Sequence, residues 1–588
     1  MTRFAVWAPG HRRVELVLDD RRVDMEADPE AADRPGSGPP DRWGWWSVGV
    51  EGAGPGTRYR FSVDGGPPRP DPRSRWQPHG VDGPSAVDDP RSFPWSDGGW
   101  RGARLAGAVI YELHVGTFSA EGTFEGAIAH LDHLVDLGVT AVEIMPVAEA
   151  SGERGWGYDG VDLWAPHHAY GGPRGLRRLV DACHARGLAA VLDVVYNHLG
   201  PAGNYLAEFG PYFTDRYRTP WGQAVNFDGE GSDGVRRFVI DNALMWLSDY
   251  HFDGLRLDAV HAIYDDSALH VLEEMALSVD ALADHLGRPL WLIAESDRND
   301  ARLVRSREAG GYGLAASWDD DYHHALHSAL TGERSGYYAD YGSLTQVGRA
   351  LERVFVYGRD WSPFRRRHHG RPVGDVPASR FVVCAQNHDQ VGNRAVGERL
   401  AALTSTGRLH VAAALVLLGP CVPMLFQGEE WGASTPFQYF TAHEDPQLGR
   451  AVSEGRRREF GAFGWDPADV PDPQDPATFE RSRLDWRELA SEPHAGLLRW
   501  HRRLIALRRA YPELTDGRLD AVEVEVKEED GSLRLRRGRV TLAVNIGSEA
   551  VVVPAVHGGT LALASHPDVV LDDARLVLPP DTVGVVIA

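Results

Sequence analysis

Four short runs of this 588-residue sequence close apolar segments with side chains able to do chemistry. They are Asp193-Val-Val-Tyr-Asn-His198, Gly254-Leu-Arg-Leu-Asp-Ala-Val-His261, Leu292-Ile-Ala-Glu-Ser296 and Gln386-Asn-His-Asp-Gln-Val-Gly-Asn393. Arg256 and Asp258 stand two apart, so on a strand both side chains project to one side. A guanidinium beside a carboxylate favours the ionised form that a nucleophile requires. Glu295 ends an apolar strand, where lost hydration should hold its proton and suit it to general acid work. One charged and one protonated carboxyl group together meet the requirement for retaining cleavage of a glycosidic bond. Asp389, beside His388, adds a third negative charge suited to an oxocarbenium-like transition state or to sugar hydroxyls.

Each residue alone has a plainer reading. An Asp at a strand end is more often a cap or loop anchor than a catalyst, and Asp193 reads as a structural group holding Arg256. The paired histidines His167-His168, His323-His324 and His368-His369 read as hydrogen-bonding residues, because they lack helical i,i+4 spacing with a third ligand. The whole ordered set is what outweighs these readings.

The elements that must position the set alternate strand and helix. Expected strands are Ala108–His114, Ala141–Met145, Leu188–Val195, Gly254–Asp258, Leu290–Glu295, Gly313–Trp318, Phe381–Gln386 and Cys421–Leu425, with helical periodicity between them, as in Phe124, Ala127, Ile128, Leu131 and Leu134. Eight βα units predict an α/β fold, a closed (β/α)8 barrel with insertions, whose carboxyl strand ends carry the site. A doubly wound open sheet is the alternative from periodicity alone. Residues 1–95 hold short β runs (Phe4–Trp7, Val14–Leu18, Trp43–Val50, Tyr59–Val63) and predict a small sandwich, which through Trp7-Ala-Pro9 and Gly56-Thr-Arg-Tyr-Arg-Phe61 resembles a carbohydrate-binding module. A Pro- and Gly-rich stretch from Asp71 to Ser85 should wrap over a neighbour. The barrel is assigned to 96–514, and an antiparallel β domain to 515–588, where Val522, Val524 and Val526 alternate.

Composition narrows the partners. A formal net charge of −23 argues against nucleic acid, which is bound through Lys and Arg. No run is apolar for the ~18 residues of a spanning helix, so no membrane partner is expected. Three scattered cysteines and no leader-like N-terminus predict a cytoplasmic protein without a disulfide framework. Eighteen tryptophans offer stacking surfaces for sugar rings, though most Trp fill cores.

The four runs resemble, in order, the four sequence regions of the α-amylase superfamily, and the likeness covers roughly residues 105–510. It implies that Asp258 is the nucleophile, Glu295 the acid/base and Asp389 the transition-state stabiliser. His198, Arg256 and His388 would contact the sugar in subsite −1, above Tyr158 of Gly155-Trp-Gly-Tyr-Asp-Gly160. By the same resemblance Leu257, Ala259, Val260 and His261, and Gln390, Val391, Gly392 and Asn393, line the substrate. Asp71–Gly80, Gln386–Arg394 and Phe426–Phe440 resemble the maltooligosyltrehalose trehalohydrolase family in particular. That implies release of trehalose from maltooligosyl trehalose by cutting the adjoining α-1,4 bond, with no cofactor and no metal. It also implies a functional pairing with a maltooligosyltrehalose synthase. Asn197 stands where many amylases hold calcium, and no calcium is expected. The segment after the sixth strand, Asp320, Asp321, Tyr322, His323 and His324, together with Glu429, is expected to line the pocket for the 1,1-linked glucose pair; the plainer reading is that Asp319 and Asp320 cap a helix. Two alternatives stay open: a branching enzyme or amylase with the same catalytic set, and a glucan-binding protein that kept the barrel.

Overall fold

A computed structural model describes residues 1–19, 21–28, 44–462 and 466–588. Its centre is a closed barrel of eight parallel strands: β1 (Ile110–Leu113), β2 (Ala141–Ile144), β3 (Ala189–Val194), β4 (Gly254–Leu257), β5 (Trp291–Ala294), β6 (Ala316–Trp318), β7 (Phe381–Cys384) and β8 (Val422–Phe426). β8 pairs with β1 through Met424 and Ile110, which closes the ring and excludes the open sheet. Alternation along each strand divides the core. Ile110, Ala141, Val191, Ile293, Ala316, Val382 and Met424 pack together inside the barrel, while Tyr111, Val142, Leu192, Leu255 and Leu425 face the surrounding helices.

The eight expected strands are all present; seven are shorter, and the eighth keeps its length but starts one residue later, at Val422. β4 and β5 stop one residue before Asp258 and Glu295, so each carboxylate opens a loop. β6 begins at Ala316, not Gly313, because Gly313 sits at φ +76° and two 3-10 turns, Ala301–Leu303 and Arg307–Ala309, replace a helix between β5 and β6.

Before the barrel, two antiparallel sheets face each other. One orders Thr2–Trp7, Trp45–Val50 and Glu26–Ala27; the other orders Arg21–Asp24, Val14–Leu18, Arg58–Val63 and Ser85–Ala86. Trp43, first in the expected Trp43–Val50 run, lies outside the described residues. The Pro-rich connector lies along helix Ser232–Asp249, fastened by Arg73 to Asp241 (2.9 Å) and by Arg75 to Asp249. After the barrel come two sheets where one was expected. A five-stranded sheet runs Val522–Lys527, Ser532–Arg537, Val540–Asn545, Thr582–Ile587, Thr560–Ala564, and a three-stranded one holds Val551–Pro554, Arg575–Leu578 and Val570–Asp572. The first buries Leu533, Leu535, Leu542 and Val585 in the main core, and its other face packs Ala543 and Val586 against Val553, Leu576 and Leu578 of the second.

Candidate active site

The site is built at the carboxyl ends of β1 to β7. Arg256, the inward residue of β4, is fully buried and donates through Nη1 to Asp193 of β3 and to Asp258, both at 2.8 Å. Its guanidinium lies 4.3 Å from the ring centroid of Trp318 at the end of β6. The other oxygen of Asp258 accepts from Asn197 Nδ2 at 2.7 Å, and the same amide donates to the Asp258 carbonyl. Asn197 therefore spends its donors on Asp258. With two cationic or amide donors on two oxygens, the Asp258 carboxylate is fixed in direction.

Glu295 is gripped by main chain. Its N–H donates to Leu257 O, its carbonyl accepts from Val260 N–H, and its Oε2 accepts from Ala259 N–H at 2.6 Å. Ala259 adopts φ +37°, a strained conformation for a residue with a Cβ, which turns its amide toward the carboxyl group. Burial pushes the Glu295 carboxyl well above the usual carboxylate range. The negative charges of Asp258, Asp320 and Asp389 act in the same direction and outlast the opposing pull of Arg256. Burial thus favours the protonated form of Glu295.

Opposite them, helix His388–Gly392 presents His388 and Asp389. Burial alone would lower the His388 pKa, but the Asp389 and Glu112 carboxylates outweigh it and raise the ring to about 9. The resulting cation donates through Nδ1 to Glu112 at 2.5 Å and through Nε2 to the Tyr158 oxygen at 2.7 Å. The Tyr158 hydroxyl passes the bond on to Asp193 at 2.6 Å, and its ring stacks on His388 with centroids 5.1 Å apart. Burial lifts Asp193 to about 7, against the pull of Arg256. Asp389 projects with 42% of its side chain exposed and accepts from Asn393 Nδ2 at 3.2 Å.

The other expected residues divide into those at the rim and those spent inside the protein. His198 bonds Asn197 Oδ1 and the Tyr158 carbonyl. Gln390 donates its amide N–H to the helix cap Asn387. Val391 is buried with Met145, Trp156 and Phe437. Gly392 is required by close approach, since a Cβ there would stand 2.1 Å from the Trp156 ring. His261 is half-buried, and its carbonyl accepts from Arg298. Asp319 is the N-cap of helix Asp320–Thr331, as the plainer reading has it; Asp320 is the first helical residue and not the cap. Burial, with the charges of Asp297 and Asp389, pushes Asp320 up to about 7. Asp321 turns away from the cleft group and takes Asn299 Nδ2, Tyr357 N–H and Tyr341 OH, all within 2.8 Å. Tyr322 is core, and His323 is held between the Ala385 carbonyl and Tyr338 OH. His324 is enclosed by Tyr337, Tyr338 and Tyr341, with Nδ1 buried and unpartnered. Glu429 is not gathered with these residues. It accepts from Phe426 N–H in a 3-10 turn after Gly428 (φ +83°), lining a small pocket with Gln386, Arg399 and His501 behind the barrel strands.

Residues not singled out by sequence complete the site. Trp221 sits at the tip of the hairpin Phe213–Thr219/Gly222–Val225 and stacks on His198 with centroids 4.4 Å apart and 8° between planes. Glu112 and Glu143 are charged residues inside the otherwise apolar strands β1 and β2, which is the signal that could have exposed them. Glu143 is buried with neither oxygen bonded, and burial drives its carboxyl far up. Among the described residues, no helix is long and apolar enough to cross a membrane.

Residues 89–219 match the family model "Alpha amylase, catalytic domain", and residues 518–585 match a domain of unknown function, DUF3459. The chain is 54% identical over 560 residues to the malto-oligosyltrehalose trehalohydrolase of Arthrobacter ramosus, covering 95% of each chain. It is 48% identical to the protein of the same name from Rhizobium sp. (strain M-11), covering 98% of this chain and 96% of that one. A solved structure from Salmonella typhimurium superposes with a TM-score of 0.89 at 40% identity, covering all of this chain and 97% of the other.

Proposed function

The chain belongs to the malto-oligosyltrehalose trehalohydrolases of the α-amylase family, and on that premise we propose that it hydrolyses the α-1,4 bond joining a glucan chain to a terminal trehalose unit. The observation that carries the proposal is the meeting of Asp258, gripped by Arg256 and Asn197, with a Glu295 whose carboxyl burial pushes up toward the protonated form. Glu295 gives its proton to the departing trehalose oxygen as Asp258 attacks the anomeric carbon, so that the C–O bond breaks as a glycosyl ester forms. The Glu295 carboxylate then takes a proton from water, whose oxygen displaces Asp258 and frees the glucan with retained configuration. Asp389 supplies negative charge beside the oxocarbenium-like transition state. Tyr158, Trp221 and His198 supply flat surfaces for the sugar. A carrier-free hydrolysis of this kind asks for no cofactor.

The substrate's 1,1 linkage must be made beforehand, so the protein works downstream of an enzyme that isomerises the reducing end of a glucan. A cytoplasmic setting fits three buried cysteines that are all free. The deciding experiment is digestion of maltooligosyl trehalose with product analysis. Free trehalose in the first sampling supports the reading. Chain transfer, branching, or glucose and maltose alone would replace it with the branching or amylase alternative, and absence of turnover by folded protein would leave a binding protein.

A further inference from the structure

Glu149 and the histidine pair His167-His168 are 18 and 19 residues apart, and the fold brings them together outside the carboxylate site. Glu149 ends the short strand Ala148–Glu149, which pairs antiparallel with Asp162–Pro166 across an irregular register. The chain then turns through His167 and His168, and both rings swing back onto the strand. Glu149 Oε1 lies 2.9 Å from His167 Nδ1 and 2.8 Å from His168 Nδ1, and Oε2 accepts the His168 N–H at 2.8 Å. The three ligand-type atoms all lie within 4.8 Å of one another. Glu149 and His167 are buried, while 27% of the His168 side chain is open.

We propose that Glu149, His167 and His168 form a binding site for one divalent transition cation, with Zn2+ as the reference ion. Two imidazole nitrogens and a carboxylate oxygen are the donor set such ions choose over the all-oxygen set of calcium or magnesium. The sizes agree. Bond lengths of about 2.0–2.1 Å at a tetrahedral ion place neighbouring ligand atoms roughly 3.3 Å apart, so the Nδ1 and Oε1 atoms need only separate by ~0.4 Å. The His167 ring is oriented by its edge-on contact with Tyr170 (4.9 Å), and the main chain beneath it by the His167 backbone N–H on Val147 O. The fourth position falls on the open side of His168, where the nearest further charges are the exposed carboxylates of Glu153 and Glu444. A field of that sign draws cations.

The ion would tie residue 149 to residues 167–168 and so close the base of the loop that carries Trp156 and Tyr158 into the cleft. This role is independent of the hydrolytic reading, because none of the three ligands touches Asp258, Glu295 or Asp389.

The test uses the full chain, stripped with a chelator and titrated with Zn2+ and, in parallel, Co2+. Calorimetry should show one saturable site per chain, with protons released to the solvent wherever an imidazolium must become neutral before its nitrogen can ligate. Co2+ should develop the visible bands of a four-coordinate ion, and Zn2+ should raise the melting temperature. His168→Gln, at the open side, should keep the chelated protein's melting temperature and lose the site by at least tenfold in affinity. Glu149→Gln should lose it too, if its chelated form melts cooperatively. Absence of saturable binding below millimolar Zn2+, or binding unchanged in His168→Gln, would overturn the proposal and leave a buried carboxylate neutralised by imidazole.

Discussion

The backbone N–H of Ala259 donates to Glu295 Oε2 at 2.6 Å, so the loop that begins at Asp258 holds Glu295. With Oε2 engaged by that amide, Oε1 is the oxygen expected to carry the transferable proton. Glu295→Gln preserves this arrangement, because its carbonyl still accepts from Ala259 and its amide replaces the hydroxyl without a proton to give. Turnover should fall by ~10²–10⁴-fold, while calorimetric affinity for substrate stays within a few-fold. A variant that turns over near the wild-type rate would remove Glu295 from the acid role.

The pH profile should report the same proton. Activity is lost on the alkaline side as Glu295 ionises, and burial together with the Asp258, Asp320 and Asp389 charges sets that limb above the ordinary carboxylate range. Asp320, itself raised to about 7, adds to that push in its charged form. Asp320→Asn removes one negative neighbour, Glu295 releases its proton more readily, and the limb of kcat/KM moves to lower pH. A limb that stays in place separates Asp320 from the acid.

How far the sequence discloses the site can be argued from Arg256, Asp321 and Glu143. The period-two spacing of Arg256 and Asp258 announced their contact, because pairs along one strand are local. The barrel itself was legible for the same reason, as eight apolar runs with turn residues between them. Asp321 sat among acidic neighbours that sequence reasoning could not tell apart, and only the helix phase sends Asp320 to the rim and Asp321 to Asn299, Tyr341 and Tyr357. Glu143 and Glu429 depend on which way a strand end or tight turn points after closure of the ring. That is a long-range property; for Glu143 the local sign is a charge inside an apolar strand, and for Glu429 there is none.

The C-terminal β domain should depend on Arg508. This fully buried side chain donates to the carbonyls of Leu417, Gly419 and Cys421 at 2.9–3.1 Å, at the C-terminal end of helix Thr406–Leu418. Arg537 crosses from the first C-terminal sheet to the Gly419 carbonyl at 2.8 Å. Burial pulls the Arg508 guanidinium down to about 9, and it is sustained by the negative end of the helix dipole rather than by a carboxylate. Arg508→Met keeps the volume and takes this donor from the Leu417 and Cys421 carbonyls, while Gly419 keeps Arg537, at a cost of about 2–3 kcal/mol. Chemical denaturation should show that loss, with unchanged kcat in the folded fraction. A midpoint equal to wild type would show that the carbonyls find other donors.

Selectivity for the trehalose end is the sharpest expectation. The carboxylates meet the same α-1,4 bond in maltooligosyl trehalose and in a plain maltooligosaccharide, so discrimination has to arise beyond the cleavage point. Of the five residues from Asp320 to His324, three are spent inside the protein: Asp321 on three donors, Tyr322 in the core and His323 between Ala385 and Tyr338. Asp320 remains, facing Asp297 and Asp389, and so does His324 with an unpartnered Nδ1 among three tyrosine rings. A site built to bond hydroxyls rejects a ligand that leaves its polar groups unmatched by orders of magnitude. Alanine at Asp320 or His324 should therefore cut kcat/KM for the trehalose-ended substrate at least about tenfold more than for the plain oligosaccharide. Alanine at Asp321 should instead lower the melting temperature and reduce both rates together. Equal losses from Asp320→Ala on the two substrates would move the discriminating contacts to another part of the rim, and equal wild-type rates would return the protein to the general amylases.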